Sequence, residues 1–302
     1  MANTITPFRP TNNSIQVRTF TQTRAIHIEP TSTHRNLTLA YILSSALTLV
    51  ATVAGAIGTF NSGIFRDPPM TAGNAQGTSL VVLAVAVPAL IVSMILVARG
   101  SARAEVFWLG SLGYLLYNSV LFTFDTTFNR LFLVYVAMFG LALWSVVSLL
   151  TTADPESIKG NFSRRTPVRL IGGYLLATAI LFGYAWMADI IPALIHNTRP
   201  GSLDKSVMLS NPVEILDLSI SLPLLVLAGV WIWKRRTWGY LLAGIMLVTY
   251  TIEALGVAVD QVFGHRADPT QSLGAVPLMI ALTVIGLVMT GIYMWHMRES
   301  RD

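Results

Sequence analysis

The sequence contains no cysteine among its 302 residues. This absence excludes structural disulfides, thiolate metal sites, iron–sulfur ligation and a cysteine nucleophile. Charged residues are also scarce, because they make up 12% of the chain, whereas soluble domains carry about 25%. Hydrophobic residues make up 53%, and the mean hydropathy is +0.61. This composition is typical of an integral membrane protein.

Residue types that commonly hold cofactors are nearly missing from the apolar part of the chain. All five histidines fall in tails, loops or predicted helix ends, which disfavours a buried haem or a di-iron site. No HxxxH or HExxH spacing joins His196 and His265 to the acids near them. The three lysines lie away from the middle of any apolar run, so a retinal Schiff base has no attachment point. A P-loop, a GxSxG elbow and a DDxxD motif are also missing. We therefore predict no cofactor and no metal centre.

Long apolar runs dominate the chain after residue 36. Each is about 20 residues long, which is enough for a helix rising about 1.5 Å per residue to cross a hydrocarbon core of about 30 Å. The sequence therefore predicts an all-α fold, a polytopic transmembrane helix bundle over residues 37–298 with eight spans. The predicted spans are 37–60, 78–98, 105–125, 131–151, 170–192, 213–233, 238–260 and 275–296.

The distribution of Lys and Arg predicts the orientation of this bundle. Fifteen of the twenty lie in the N-terminal tail, in alternate loops and after the last span, and such residues are retained in the cytoplasm. Both termini are therefore predicted to be cytoplasmic, with the protein in the plasma (inner) membrane of a prokaryote. Residues 1–36 are rich in Thr, Asn and Arg, and we predict that they form a disordered basic cytoplasmic tail.

The net charge of +5 does not indicate nucleic acid as a partner. The basic residues lie beside the ends of the predicted spans, where anionic lipid headgroups attract them. The lipid bilayer is therefore the expected partner, with a small solute or an ion as a further candidate. Tryptophans near predicted helix ends, such as Trp108, are interpreted as anchors at the membrane interface. The sequence specifies no oligomeric state.

The eight spans divide into two groups of four, 37–151 and 170–296, which would share one orientation. Pro88 precedes Arg99 by 11 positions, as Pro223 precedes Lys234. This spacing suggests an internal repeat. Short matches also arise by chance in a Leu-rich chain, so both alternatives stay open.

Acidic residues with neighbouring polar groups distinguish the third, fifth, sixth and seventh predicted spans. An ionised carboxylate at bilayer depth costs at least about 2.5 kcal/mol, so such groups usually face the protein interior or a water-filled cavity. Counting about 1.5 Å per residue places Asn118, Asp217 and Glu253 at one level in the outer third of the membrane. We therefore predict an acidic polar seam for contact with protons, ions or a solute, with the candidates Asp217, Glu253, Asn118, Tyr117, Tyr250, Asp189 and Asp260.

The sixth and seventh spans are joined by only a few residues, so they should be antiparallel neighbours, and Asp217 could face Glu253 directly. Loops on the outer side are expected to place further polar residues around the mouth of the seam, namely His196, Arg199, Asp204, Lys205, His265 and Arg266.

A structural role is the alternative for each of these acids. The stretch Asn211-Pro212-Val213-Glu214 resembles a capping box in which Glu214 reaches back to the N-cap amide. Asp217 and Glu253 could equally form a buried pair that only fastens two helices together. The acids nearer the outer interface, where solvated carboxylates are common, are Asp125, Asp189 and Asp260.

Three classes of function fit this pattern. The first is an ion- or proton-linked transporter of a small solute that uses the acidic seam. The second is a membrane-embedded enzyme that acts on a lipid or isoprenoid headgroup at the outer leaflet. The third is a non-catalytic scaffold or sensor. The sequence favours transport over an enzyme, because no nucleophile with an adjacent base is evident and no cluster of Lys or Arg accompanies the acids to bind phosphate.

Overall fold

The computed structural model describes residue 1 and residues 36–61, 63–204 and 206–298. Within these ranges no strand occurs, and an isolated β-bridge joins Phe162 to Met297. Eight of the described helices are long and apolar enough to cross a membrane, which confirms the predicted all-α bundle of eight spans. The cytoplasmic placement of both termini stays a prediction. The predicted tail, 1–36, lies outside the described residues apart from residues 1 and 36.

The eight long helices are numbered in chain order. They are α1 (Thr38–Phe60), α2 (Pro69–Ala98), α3 (Ala102–Phe124), α4 (Phe132–Thr152), α5 (Val168–His196), α6 (Pro212–Trp233), α7 (Thr237–Ala267) and α8 (Val276–His296). A short helix, Pro155–Gly160, lies between α4 and α5. A single 3₁₀ turn, Gly201–Leu203, lies between α5 and α6.

The bundle has two ends that differ in composition. The arginine-rich end comprises residues 99–101, 153–167, 234–236 and 297–298, and it corresponds to the predicted cytoplasmic side. The loop end comprises residues 61–68, 125–131, 197–211 and 268–275, of which 62 and 205 are not described.

The helix α2 begins at Pro69, well before the predicted start of its span at residue 78. Its first turns contain Gly73 and Gly77, whose backbones lie close to α7. A Cβ atom on Gly73 would lie 2.6 Å from the carbonyl oxygen of Phe263, and one on Gly77 would lie 2.8 Å from the Cα atom of Asp260. Small residues four positions apart permit this close approach of two helices. Packing against α7 therefore extends α2 beyond its apolar run.

Two of the long helices each contain one widened π-helical turn. The turns are Val82–Ala86 in α2 and Asp217–Ser221 in α6. In α6 the backbone N–H of Leu222 donates to the carbonyl of Asp217, five residues earlier. Pro88 and Pro223 each follow two residues after a turn. A proline cannot donate, and its ring excludes the carbonyl four residues before it, so the wider turn relieves that conflict.

The two π-turns occupy equivalent places in the second helix of each four-helix group. The two groups nevertheless differ in packing. The first and last helices of the first group, α1 and α4, pack extensively against each other, whereas α5 and α8 meet at only a few positions. At one of these positions the hydroxyl of Tyr174 donates to the carbonyl of Leu282 over 3.5 Å.

Aromatic side chains close the arginine-rich end of the bundle. The ring of Phe162 lies 4.9 Å from the ring of Tyr240 and 4.9 Å from the ring of Tyr293. The hydroxyl of Tyr293 also donates to the backbone carbonyl of Tyr240 over 2.7 Å. The guanidinium of Arg103 donates to the backbone carbonyl of Met297. These contacts fasten the end of α8 to α7 and to the segment before α5.

Candidate functional site

A cavity of about 510 Å³ lies in the half of the bundle nearer the loop end. Side chains from α2, α3, α5, α6, α7 and α8 line it, and the 197–211 segment adds Ser202, Leu203 and Ser206. Ser202 is exposed, so the lining reaches the surface at the loop end. The carboxylates of this lining are Asp125, Asp217, Glu253 and Asp260, and among the described lining residues there is no Lys, Arg or His.

Asp217 is the first residue of the π-turn in α6 and is only 6% exposed. Its Oδ1 atom accepts a hydrogen bond of 3.2 Å from the hydroxyl of Tyr117 on α3. Its Oδ2 atom accepts one of 2.9 Å from the indole N–H of Trp186 on α5. Both carboxylate oxygens are therefore held by neutral aromatic donors from different helices.

Glu253 lies on α7 and also lines the cavity. Its Oε2 atom accepts a hydrogen bond of 3.0 Å from the side-chain amide of Asn118 on α3. The same amide nitrogen donates to the backbone carbonyl of Tyr114 over 3.1 Å. Asn118 is 2% exposed, so the bond is shielded from the surface. Glu253 thus has a neutral hydrogen-bond donor, as Asp217 has.

The structure brings Asp217 and Glu253 into one cavity lining, but no hydrogen bond joins them among the described residues. Each carboxylate instead accepts a hydrogen bond from α3. Their donors, Tyr117 and Asn118, are consecutive residues of that helix. A carboxylate pair that fastens α6 directly to α7 is not the observed arrangement.

Tyr250 and Asp260 complete the polar wall of α7. Both line the cavity. The hydroxyl of Tyr250, with Ser221 as its polar neighbour, and the Oδ1 atom of Asp260, with Thr78 as its polar neighbour, are buried without a hydrogen bond of standard geometry in the described part of the chain. The hydroxyl of Thr71 on α2, which also lines the cavity, shares this property. Buried polar groups are normally hydrogen-bonded, so this lining has capacity for a bound water or solute.

Asp189 does not belong to the cavity lining, unlike the other predicted acids of the seam. Its carboxylate accepts hydrogen bonds from the backbone N–H groups of Gly201, over 2.9 Å, and Ser202, over 3.0 Å. Arg199 holds the same segment by donating to the carbonyls of Ser206 and Met208. Asp189 therefore fixes the course of the 197–211 segment, which in turn lines the cavity.

Glu214 has a capping role in a form slightly different from the predicted one. The Oδ1 atom of Asn211 accepts hydrogen bonds from the backbone N–H groups of Val213, over 3.0 Å, and Glu214, over 3.4 Å. In return, the carboxylate of Glu214 accepts from the side-chain amide of Asn211 over 3.1 Å, and not from its backbone N–H. The first turn of α6 is thereby closed on itself.

Asp125 lies at the cavity mouth, directly after the last residue of α3. Burial, and then the nearby negative charge of Asp67, raise the pKa of Asp125 to about 6. Asp67 itself accepts hydrogen bonds from the backbone N–H and the hydroxyl of Thr127. The mouth therefore has a carboxyl group that changes charge in the mildly acidic range.

Five of the six loop residues predicted at the mouth do not line the cavity, namely His196, Arg199, Asp204, His265 and Arg266. The ring of His265 lies 2.7 Å from the carbonyl of Gln271 and closes the 268–275 segment. The guanidinium of Arg266 lies 5.5 Å from the ring centre of Phe263. Lys205 falls outside the described residues. Among the residues that are described, no group of three or more His, Cys, Asp or Glu is placed to hold a metal ion.

Sequence reasoning missed Trp186, which gives Asp217 one of its two donors. It also misread Trp108, which is fully buried and donates its indole N–H to the hydroxyl of Ser44 over 3.0 Å, and so is no interfacial anchor. The position of Trp186, three residues before Asp189, was an available signal, because residues at this spacing share a helix face.

No protein-family model, curated protein or solved structure matches this chain. The function is therefore argued from the cavity itself.

Proposed function

We propose that this membrane protein is an ion- or proton-linked transporter of a small solute, and that Asp217 and Glu253 are its charge-binding groups. The proposal rests on how these two carboxylates are held. Their partners are the side chains of Tyr117, Trp186 and Asn118, which are neutral. Hydrogen bonds from neutral donors orient a carboxylate but leave its negative charge uncompensated.

A buried carboxylate requires a counter-charge or a proton, because the cost of an unpaired charge in a low-dielectric interior is several kcal/mol, to order of magnitude. No basic residue is present in the described lining of this cavity. On this proposal the compensating charge is a proton, a cation or a cationic solute that enters the cavity. Exchange between a proton and such a cation on the same carboxylates is the simplest basis for coupled transport.

The position of Asp217 also suits a transporter. It begins the π-turn of α6, and such turns are frequent at functional sites because they interrupt the regular hydrogen-bond ladder. Transport requires a change in the helices around the site, since the arginine-rich end is closed by Phe162, Tyr240 and Tyr293. The π-turn is the place in α6 where such a change would disrupt the fewest α-helical backbone hydrogen bonds.

The acid-lined cavity also supports transport over chemistry on a lipid phosphate. A phosphate group would meet the carboxylates of Asp217, Glu253 and Asp260, and like charges repel strongly in a partly desolvated site. Enzymes that act on phosphate usually provide Arg or Lys for it.

The test is an infrared pH titration of the purified protein in lipid nanodiscs, over about pH 5 to 8. A protonated carboxyl band should appear in the wild type and be smaller in Asp217→Asn or Glu253→Gln, which keep the side-chain volume. Glu156→Gln is the matched control, because Glu156 is exposed in the short helix at the arginine-rich end, away from the cavity. Adding Na⁺ or tetramethylammonium should reduce the wild-type band, because a bound cation replaces the proton. A band that neither cavity variant changes would refute the proposal.

A further inference from the structure

The helices α5 and α8, which contact each other at few positions, leave a gap between them beside the cavity. Leu181 on α5 and Leu278 on α8 both line the cavity. They are nevertheless 36% and 43% exposed. Ala185 and Ala275 also line the cavity and are also exposed. The wall that α5 and α8 form is therefore incomplete at the depth of these residues.

The extent of this gap follows from the hydrogen bonds between α5 and α8. Toward the arginine-rich end, the hydrogen bond from Tyr174 to the carbonyl of Leu282 joins the two helices. Toward the loop end, no comparable bond between α5 and α8 occurs in the described residues. The matching helices of the first group, α1 and α4, pack extensively and leave no such gap. The opening is thus specific to the half of the bundle that contains the cavity.

The residues on the two sides of the cavity differ in chemistry. The wall beside the gap is apolar, with Leu181, Ala185 and Leu278 in its lining, whereas the wall formed by α6 and α7 carries Asp217, Glu253 and Asp260. A molecule that fills the cavity would place an apolar part at the gap and a polar part at the acids. The acids favour a positive charge on that polar part.

Aromatic side chains strengthen this preference for a cation. Tyr117 and Trp186 bond directly to Asp217, and Phe182 also lines the cavity. Aromatic faces attract organic cations, and most strongly where water is excluded. A cavity of about 510 Å³ lies within the range of about 300 to 1,000 Å³ that holds drug-sized ligands. It is much larger than a metal cation or a proton requires.

From these observations we infer that the solute is an amphipathic organic cation, an ammonium group with an apolar chain, and that it enters the cavity from the bilayer between α5 and α8. The inference rests on the proposed function, because it assigns the substrate class of the same carboxylates. The ammonium group binds at Asp217 and Glu253, and the chain lies along Leu181 and Leu278 toward the gap. Such a molecule concentrates in the membrane, with its charge near the headgroups and its chain in the acyl region.

The first arm of the test measures binding to the protein in nanodiscs, with empty nanodiscs as the baseline. The probes are octyltrimethylammonium, tetramethylammonium and octyl sulfate. We expect octyltrimethylammonium to bind saturably and at least about tenfold more tightly than tetramethylammonium, because burial of each CH₂ contributes about 0.8 kcal/mol. Octyl sulfate should not bind. Equal binding of both ammonium ions would refute the inference while leaving the proposed function standing.

The second arm tests the route of entry and uses the lack of native cysteine. Leu278→Cys places a thiol at the gap, and Val284→Cys on the same helix places one at a position that is 55% exposed and outside the lining. After labelling with a bulky, membrane-permeant maleimide, the first variant should bind octyltrimethylammonium at least about tenfold more slowly, and the second at the unlabelled rate. Equal rates for the two labelled variants would refute entry through the gap.

The third arm separates this inference from the proposed function. The double variant Asp217→Asn, Glu253→Gln should lose binding of octyltrimethylammonium by at least about tenfold. Retained binding in that variant, together with an unchanged infrared band, would overturn both proposals. Loss of binding with no dependence on chain length would overturn only the assignment of an amphipathic substrate.

Discussion

Tyr117 and Asn118 are consecutive residues of α3, yet they bond to carboxylates on two different helices. The hydroxyl of Tyr117 donates to Asp217 on α6 over 3.2 Å, and the amide of Asn118 donates to Glu253 on α7 over 3.0 Å. Successive residues of an α-helix point about 100° apart. One turn of α3 therefore contacts both acid-bearing helices and orients their carboxylates separately, without a direct bond between them.

The first prediction distinguishes the hydrogen bonds of Asp217 from its charge. Asp217→Leu removes the acceptor for Tyr117 and for Trp186, so two buried donors lose their partner. We expect the free energy of unfolding to fall by about 1–3 kcal/mol, because an unsatisfied buried polar group costs about that much. Asp217→Asn keeps one acceptor oxygen and should cost clearly less. The measurement is unfolding of the detergent-solubilised protein by denaturant, followed by helical circular dichroism.

The control for this prediction is Ile215→Leu, at an exposed position of the same helix, which should leave the unfolding transition unchanged. If Asp217→Leu unfolds at the same denaturant concentration as the wild type, the two aromatic donors do not depend on this carboxylate. The carboxylate of Asp217 would then not be held by Tyr117 and Trp186 as the structure shows.

The second prediction concerns the packing of α2 against α7. Gly73→Ala places a Cβ atom 2.6 Å from the backbone oxygen of Phe263, a contact that requires the helices to move apart. We expect a loss of about 1–3 kcal/mol in the free energy of unfolding, as for overpacked sites. Gly140→Ala in α4 is the matched control, since nothing lies within 4 Å of its new Cβ atom. It should be neutral or slightly stabilising. Thermal denaturation of both variants in one detergent tests the difference, and equal midpoints would contradict it.

The third prediction uses the raised pKa of Asp125. In the folded protein this pKa is about 6, whereas an unperturbed Asp titrates at about 3.9. Between these values the folded state binds the proton more tightly than the unfolded state. Stability should therefore fall as the pH rises from about 4 through about 6, by up to about 3 kcal/mol, and then level off.

Asp125→Asn should remove this part of the pH dependence and stabilise the protein above pH 6, because the buried charge beside Asp67 is lost. The measurement is the thermal midpoint of wild type and variant at several pH values between about 4 and 8. Asp204→Asn, at an exposed acid of the same end, serves as the control. Parallel pH profiles for the wild type and Asp125→Asn would show that Asp125 does not titrate as described.

The helices and the approximate membrane depth of the acids could be predicted from the sequence, because both depend on the number of residues counted along the chain. Counting residues from the basic ends places Asn118, Asp217 and Glu253 at one level, and in the structure Asn118 bonds to Glu253 while its neighbour bonds to Asp217. A helix has a fixed rise per residue, so depth needs no knowledge of neighbouring helices.

The partners of the acids could not be predicted in the same way, because they depend on how each helix is rotated and on where loops fold. Trp186 is a large apolar side chain that would suit a lipid-facing position equally well, and only the packing of α5 on α6 turns it toward Asp217. Asp189 lies on the same helix, but its carboxylate accepts hydrogen bonds from the backbone N–H groups of Gly201 and Ser202. The conformation of that segment is not encoded in any periodicity.

The last prediction tests the orientation of the bundle, for which the evidence is the unequal distribution of Lys and Arg. Because the chain has no cysteine, single cysteines can be placed without removing native ones. Ser272→Cys lies at the loop end and Ser163→Cys at the arginine-rich end, and Ser272 is exposed while Ser163 is partly exposed. In intact bacterial cells a membrane-impermeant maleimide should label Ser272→Cys. It should label Ser163→Cys only after the cells are opened. Labelling of Ser163→Cys in intact cells would place the arginine-rich end outside, and the cavity would then open toward the cytoplasm.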